Sequence, residues 1–480
     1  MKVSYNWLKW YIHDAPEAEK LADIITYHVA EVESFDKLPD GDFIFDIKIL
    51  PNRAHDLLSH QGVAKEIASL LNINFVDPTP KYKIPESKLT DLKVEIKTKA
   101  CKRYMGRIIR NIKIDKSPEW MRNHLESIGQ RSINNIVDAT NIVMFNCGEP
   151  THVFDLDKIK GPLVARQARD EETVTTLDEK ECKLTSSDFV IADQEKALII
   201  GGVKGGKAAE VDTNTRNIVL EVGNFDAVVV RKTSTKIGLR TEGSKRWENG
   251  VSPELASYGM MELSALIAEM CPDAIFEDIV DVYPEKQEIR KLSFSADRIS
   301  KILGLNVSVT EIEDILKRYL FKYVLNKDQF EIVVPFMRLD LEIEEDMAEE
   351  IGRILGYDKI KGSIPEINFK PKINETYAKI TSARSKLLSD GYSEVMTYVF
   401  AEKGKVEVMQ SASDKKFLRT NLTDGLKESI KLNKINSPLL GLKEVKVFEI
   451  GTVWNPKEEM HVAYNEGDKV IEKNLYEFKG

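Results

Sequence analysis

The chain of 480 residues is far longer than one ordinary core, and a prior of roughly 150 residues per domain predicts about three domains. A hydrophobic content of 42% with 31% charged residues excludes disordered and fibrous classes. The net charge of −9 argues against a surface that is basic throughout, although charge is local in a multidomain chain.

Membrane and export signals are not evident in the sequence. No run approaches the ~20 apolar residues of a membrane span, and polar residues interrupt the N-terminal MKVSYNWLKWYI. The cysteines are scattered without a CxxC pair, which indicates neither a zinc site nor a disulfide framework. We therefore expect a cytoplasmic protein whose cysteines are buried as small hydrophobic residues.

Residues 1–85 are predicted to form an N-terminal α/β domain. The segments WLKWYI and EKLADIITYH predict helices, and VAEVESF and FIFDIKIL predict strands. Residues 60–71 have the apolar spacing of a further helix. The proline-bearing DPTPKYKIPE is predicted to be a linker that marks the first domain boundary.

Residues 90–285 are predicted to form a mixed, strand-rich domain with few long helices. The strand-like runs are VEIKT, YMGRIIRNIKI, LVARQA, DFVIAD, ALIIGGV and NIVLEV. One helix start is explicit: Ser117 is the expected N-cap, Pro118 the first helical position and Gly129 the stop.

Residues 291–360 are predicted to form a small helical domain, and residues 365–480 a truncated, catalytic-like one. The former contains the helices DRISKILG and SVTEIEDILKRYLF, with a capping box of Ser308 and Glu311, then a strand EIVVPF and an acidic helix. The latter contains a long helix ended by Gly391 and the strands EVMTYVF and VKVFEIGTVW. The predicted fold class is therefore α+β multidomain.

The acidic stretch RLDLEIEEDMAEEIGRILGYDKI poses a choice between two interpretations. At about 100° per residue, Asp346, Glu349 and Glu350 share a helix face away from the apolar stripe, and Asp340 ends the preceding strand within reach. Carboxylates of this kind suit Mg²⁺. Acids at a helix N-terminus also complement the helix dipole, and spacing alone favours that simpler interpretation.

Four other features are candidates for chemistry. Glu221 interrupts an apolar strand, where a carboxylate is costly unless it has a partner or ligand or faces solvent, and both options stay open. His152 in PTHVFD is favoured as a core histidine, and Thr241 as a loop hydroxyl. The glycines of IIGGVKGG permit close backbone approach but match no nucleotide-binding fingerprint.

Two stretches, 81–116 and 231–246, carry a local excess of lysine and arginine. Either could contact phosphates, although a solvated face is the favoured interpretation.

Several segments, in fixed order, resemble the β-subunit family of bacterial phenylalanyl-tRNA synthetases. They include SYNWLKWYI, ILPNRAHDLLSHQGVAKEIA, NNIVDATNIVMFNCGEPTHVFD, LEVGNFD, RKTSTKIGLRTEGSKRWENGV, PFMRLDLEIEEDMAEEIGRILGYDKI, LRTNLTDGL and VFEIGTVW. The resemblance covers nearly the whole chain. It implies a partner of the catalytic α subunit, in a heterotetramer of two α and two β chains that uses ATP to attach phenylalanine to its tRNA.

The resemblance also implies an editing role for residues 90–285, namely hydrolysis of tyrosine attached to this tRNA in error. An apolar pocket cannot strongly exclude an isostere that adds a hydroxyl, so a second, hydroxyl-selective site is reasonable. Carried over by position, Glu221 and the backbone near Gly202 and Gly205 would recognise tyrosine. His152 and Thr241 would line the pocket near the scissile ester.

Two further assignments follow from the resemblance. Gly243 stands where the family usually has alanine, which implies a larger pocket and puts the strictness of editing in question. Asp340, Asp346, Glu349 and Glu350 resemble the family's Mg²⁺ ligands, and the whole-chain resemblance reverses the preference that spacing alone gave.

The sequence also departs from the family pattern. VESFDKLPDGDFIFDIKIL runs directly between the halves of the first domain, where the family has an inserted oligonucleotide-binding domain. The C-terminal YEFKG falls within the catalytic-like domain, before the usual anticodon-binding domain. We expect a reduced β subunit with fewer tRNA contacts. A free-standing tRNA deacylase and a structural subunit without editing are the alternatives.

Overall fold

A computed structural model describes residues 1–411 and 413–479, which fall into two compact units, Met1–Gly362 and Ser363–Gly480. Both units mix helices with sheets, so the α+β multidomain prediction is confirmed at that level. Within the described residues, no helix combines the length and apolar character that a membrane crossing requires. All four cysteines are buried and unpaired, as predicted.

The N-terminal segment forms a three-stranded antiparallel sheet flanked by helices. Its elements are β1 (Lys2–Ser4), α1 (Tyr5–Leu8), α2 (Ala18–His28), β2 (Val32–Lys37), β3 (Phe43–Ile47), α3 (Ala54–Leu57) and α4 (His60–Leu71). The helix predicted over 60–71 is confirmed, and Ser59 caps it. A short turn with Gly41 at φ +91° joins β2 directly to β3, so nothing is inserted there.

The following region contains two five-stranded sheets. The first has the order β12-β11-β10-β7-β4; the second has the order β14-β5-β13-β6, with β15 added to β5. Its strands are β4 (Val94–Ile96), β5 (Cys101–Arg110), β6 (Thr151–Asp155), β7 (Leu163–Gln167), β8 (Thr173–Thr175), β9 (Glu181–Lys183), β10 (Phe189–Ala192), β11 (Ala197–Ile200), β12 (Lys204–Gly205), β13 (Ile218–Phe225), β14 (Ile275–Phe276) and β15 (Val280–Val282).

The helices of this region correct two predictions. They are α5 (Glu119–Ser127), α6 (Asn135–Cys147), α7 (Ala227–Ile237), α8 (Glu242–Trp247) and α9 (Leu255–Met270). The expectation of few long helices was wrong, because α6 and α9 are buried on several faces and lack an amphipathic stripe. Ser117 is not the N-cap: Pro118 holds that position, and the Ser117 hydroxyl donates to Asp138 instead.

The linker at 77–86 does not separate two cores. One hydrophobic cluster contains Trp7, Phe45 and Ile67 from the N-terminal segment together with Ile142 and Leu220 from the strand-rich region. The hydrophobic packing therefore continues across the boundary that proline content predicted, and that boundary stays a prediction.

Residues 291–360 and the second unit complete the architecture. The former comprises β16 (Lys291–Ser295), α10 (Ala296–Leu303), α11 (Val309–Arg318), β17 (Lys322–Asn326), β18 (Gln329–Val333) and α12 (Glu344–Leu355). The capping box of Ser308 and Glu311 at the start of α11 is confirmed.

The second unit builds a four-stranded sheet, β19-β22-β23-β24, over two small cores. It comprises α13 (Glu375–Ser389), β19 (Ser393–Glu394), β20 (Phe400–Ala401), β21 (Phe417–Leu418), α14 (Thr423–Asn436), β22 (Val447–Trp454), β23 (Glu458–Glu466) and β24 (Lys469–Asn474). The continuous strand predicted for EVMTYVF was wrong, since only its ends pair.

Candidate functional site

The six editing-site candidates of the sequence line one cavity of about 320 Å³ in the strand-rich region. They come from β6, from β13, from the turn after β11, from β12 and from the start of α8: His152, Glu221, Gly202, Gly205, Thr241 and Gly243. Segments that are far apart in sequence therefore converge on one concave site.

Glu221 lies in the middle of β13 and faces the cavity rather than bulk solvent. Its side chain is 2% exposed, and neither carboxyl oxygen has a hydrogen-bond partner among the described residues. Burial raises the pKa of Glu221 to about 8. At neutral pH this group is therefore largely an uncharged carboxylic acid, able both to donate and to accept a hydrogen bond.

His152 is the direct cross-strand neighbour of Glu221. Such neighbours share one face of a sheet, so both side chains reach the same cavity. Burial lowers the pKa of His152 to about 4, which leaves a neutral imidazole at physiological pH. The interpretation of His152 as a core histidine was wrong, because its ring lines a cavity and can accept a proton there.

Two glycines leave room for this histidine and for the wall beside it. A Cβ on Gly205 would lie 2.7 Å from Cε1 of His152 and 2.9 Å from a methyl of Leu177. Gly202 has φ +69°, and its Cβ would lie 2.6 Å from a methyl of Val230. Both positions require glycine on steric grounds, and Gly202 also on backbone grounds.

Thr241 caps α8 and ties it to the cavity wall. Its hydroxyl accepts from the Ser244 amide at 3.0 Å and donates to the Val203 carbonyl at 2.9 Å. A Cβ on Gly243 would lie 3.6 Å from Pro150 and 3.7 Å from the Thr241 hydroxyl, which are ordinary contacts. Alanine would therefore fit at 243, and glycine leaves the cavity larger by about one methyl group.

The cavity also has apolar walls that sequence reasoning did not select. These are formed by Met144, Leu177, Phe225 and Trp247. Met144 belongs to α6, whose buried pattern concealed the helix. Trp247 lies in the same motif, RKTSTKIGLRTEGSKRWENGV, as Thr241. A helix predicted within that motif would have indicated that both residues line one cavity.

Glu350 does not lie on an open acidic face. It is 2% exposed, and its carboxylate accepts from Arg353 at 2.8 Å, from Arg338 at 3.1 Å and from Arg53 at 3.4 Å. Although burial opposes ionisation, these three guanidinium groups hold the pKa of Glu350 below its usual value. The prediction that this carboxylate points away from the core was wrong, because arginines remote in sequence meet it there.

The other three acids of the predicted Mg²⁺ site line one shallow depression together with His55. Asp340 accepts two hydrogen bonds from Arg338, at 2.9 and 2.7 Å, and lies 2.9 Å from His55 Nε2. Asp346 caps α12 by accepting from the Glu342 and Ile343 amides. Among the described residues, no three His, Cys, Asp or Glu side chains are grouped to hold a metal ion. Glu350 is thus committed to arginines, whereas the other three acids share one depression, and the Mg²⁺ site stays a prediction.

Three of the six basic residues in the stretch 231–246 form ion pairs within the fold. Lys236 pairs with Asp188, Arg240 with Glu248, and the buried Arg246 with Glu242. This pattern supports the solvated-face interpretation over a dedicated phosphate track.

Comparison with known proteins shows which sequences this chain is similar to. Three family models match in succession: the B3/4 domain over residues 100–272, the tRNA synthetase B5 domain over 292–357, and the phenylalanyl tRNA synthetase beta chain CLM domain over 360–471. The phenylalanine–tRNA ligase beta subunit of Clostridium acetobutylicum is 34% identical over 457 residues, covering 90% of this chain and 56% of that protein. Over most of its length the chain is therefore similar to phenylalanine–tRNA ligase β subunits.

Two other relatives are similar to this chain to about the same degree. The beta subunit of Geobacter metallireducens is 33% identical and covers 97% of this chain, and that of Thermotoga maritima is 35% identical and covers 86%. The chain spans 62% and 53% of these two relatives' lengths. An N-terminal fragment of the beta subunit from Pyrococcus horikoshii aligns with 74% of the chain at 17% identity and a TM-score of 0.43.

The candidate cavity lies within the part of the chain that matches the B3/4 domain, and α12 lies within the part that matches the B5 domain. The two acidic features singled out from the sequence therefore lie in segments that match different family models.

Proposed function

We propose that this chain acts as the β subunit of a phenylalanine–tRNA ligase and removes tyrosine attached to that tRNA in error. The observation that carries the proposal is the convergence of six candidate residues on one cavity of about 320 Å³. The chain would work in the cytoplasm in a heterotetramer of two α and two β chains. ATP and Mg²⁺ would serve the synthetic reaction at the α subunit, and residues 363–479 would form a partial class II catalytic-like domain.

Glu221 would select the tyrosyl group by its hydroxyl. The uncharged carboxyl can donate to and accept from a phenol, whereas a phenylalanyl group leaves both oxygens without partners. An unpaired buried polar group is costly, so a site of this kind rejects the analogue that lacks the hydroxyl. Discrimination thus rests on a hydrogen bond that only the wrong amino acid can make.

His152 would act as the general base. Its neutral imidazole accepts a proton from a water molecule as the water oxygen bonds to the ester carbonyl carbon. The bond from that carbon to the ribose oxygen then breaks, the imidazolium of His152 returns its proton to the ribose oxygen, and the products are free tyrosine and a ribose hydroxyl. Gly205 leaves the space that the ring occupies, and Thr241 holds the adjacent wall.

The test is coexpression with a tagged α subunit, followed by phenylalanine charging and tyrosyl-tRNA deacylation assays. We expect copurification, charging by the complex, and deacylation that falls on the order of 100-fold in H152A. The exposed His13, far from the cavity in sequence, provides the matched control H13A.

Each negative result has a distinct meaning. Failure to copurify contradicts the subunit role. Hydrolysis by the chain alone at the rate of the complex favours a free-standing deacylase. Charging without hydrolysis favours a structural subunit that does not edit.

A further inference from the structure

A second cavity, of about 400 Å³, lies between the N-terminal segment and residues 317–338. We call it the Lys65 cavity. It is lined by α4 and the residues after it, by the end of α11 and by the segment after β18. Nothing in the proposed editing chemistry uses this cavity, and it shares no lining residue with the first.

The acids that line the Lys65 cavity do not neutralise all of its cationic groups. Its acids, Asp56 and Glu66, are both bound by Arg53 at 2.7 Å, and Glu66 is also bound by Arg353. Lys65, on α4, is half-buried and has no ion pair among the described residues. Burial lowers the pKa of Lys65, so an anion beside its ammonium would stabilise the charged form.

A second cation faces the same cavity from the other side. Arg318 pairs with Asp314 through one terminal nitrogen, but its Nε is buried and has no hydrogen-bond acceptor among residues 1–411 and 413–479. Leaving such a donor unmatched costs free energy that an anionic acceptor would recover. Two cationic groups that lack a full set of partners, one on α4 and one at the end of α11, therefore border the Lys65 cavity.

The remaining lining mixes polar residues with apolar ones, and it includes a strained residue. The Lys65 ammonium lies 5.3 Å from the ring centroid of Phe75, and Phe321 borders the same space. Leu320 has φ +57°, unusual for a residue other than glycine, and its side chain is 80% exposed at the rim. Apolar walls with a few directed polar groups are typical of small-molecule sites, and strain of this kind clusters at them.

We propose that the Lys65 cavity binds a small organic anion, its carboxylate or phosphate group facing Lys65 and Arg318 and its apolar body lying against Phe75 and Phe321. The volume suits a ligand of one ring or a short aliphatic chain.

Isothermal titration calorimetry of the full chain tests the proposal with three probes of similar size. Phenylacetate and phenyl phosphate carry the two head groups, and phenylacetamide is the neutral analogue. We expect at least one anion to bind at least ~10-fold more tightly than the amide, and to lose ~10-fold in affinity in K65M but not in K65R. The better of the two anions identifies the head group.

K20M is the matched control, because Lys20 on α2 is exposed and does not line the cavity. The proposal is overturned if neither anion binds at millimolar concentration, if the amide binds equally well, or if K65M binds like K20M. No tRNA enters this assay, so its outcome is independent of the deacylation result.

Discussion

Glu221 and Glu350 are both 2% exposed, yet the protein treats these two buried carboxyl groups in opposite ways. Glu350 is surrounded by Arg53, Arg338 and Arg353, which keep it ionised. Glu221 has no hydrogen-bond partner in the described part of the chain, and burial raises its pKa to about 8. The difference shows that burial alone does not decide the role of an acid. A buried carboxylate whose oxygens all have partners stabilises the fold, whereas a buried carboxyl group without partners is available to a ligand.

The largest expected effect is the loss of Glu350. E350L would leave three buried guanidinium groups without their shared partner, and we expect the free energy of unfolding to fall by about 3–5 kcal/mol. Urea denaturation followed by circular dichroism measures this change. The adjacent E349Q is the control, since Glu349 is exposed and should change stability by less than about 0.5 kcal/mol. Equal effects of the two variants would contradict the ion-pair role.

Glu221 should instead make stability fall between about pH 4.5 and pH 8. Because its pKa rises from 4.5 to about 8 on folding, its contribution is fully present below pH 4.5 and is lost as pH rises to about 8. The stability of E221Q relative to the wild type should therefore grow across this window, by on the order of 3 kcal/mol. Urea melts at a series of pH values test this, and a difference that stays constant with pH would contradict it.

The open space around His152 can be probed with two alanine substitutions. G205A would force a Cβ to 2.7 Å from the imidazole, and we expect a loss of about 1–3 kcal/mol in stability and at least ~10-fold in deacylation. G243A meets only ordinary contacts, so it should fold normally and narrow the cavity. Kinetics of tyrosyl-tRNA hydrolysis by the complex measure both. Similar losses in the two variants would show that the cavity tolerates neither methyl group and would refute the steric distinction.

The smallest expected effect concerns metal. If arginines satisfy Glu350 and Asp340, removing Mg²⁺ with a chelator should shift the thermal midpoint of the chain by less than about 1 °C. Differential scanning calorimetry with and without Mg²⁺ gives the answer. An increase of several degrees in the thermal midpoint on adding Mg²⁺ would instead support the predicted metal site.

Local signals in the sequence predicted local structure well. Apolar spacing located α4, and the pair Ser308 and Glu311 located the start of α11, because caps and periodicity act over a few residues. The helices α6 and α9 escaped detection since burial on several faces removes the periodic pattern. The strand EVMTYVF failed for the related reason that pairing, rather than composition, decides whether β-prone residues form a strand.

The candidate site was predictable as a set of residues only through family resemblance. Spacing alone favoured a core histidine at 152 and left Glu221 undecided, because the register that sets them opposite each other joins two distant strands. The partners of Glu350 were equally invisible: Arg53 comes from another segment, and no helical wheel of α12 includes it.

The turn between β2 and β3 has a consequence for how proteins of this fold can change in size. Pro39, Asp40 and Gly41 are exposed, while the antiparallel pairing on either side keeps the two strand ends adjacent. A whole domain can be spliced into or out of such a junction without altering the register of the sheet. This hairpin therefore offers a place where a whole domain can be added or removed while the remaining fold stays intact.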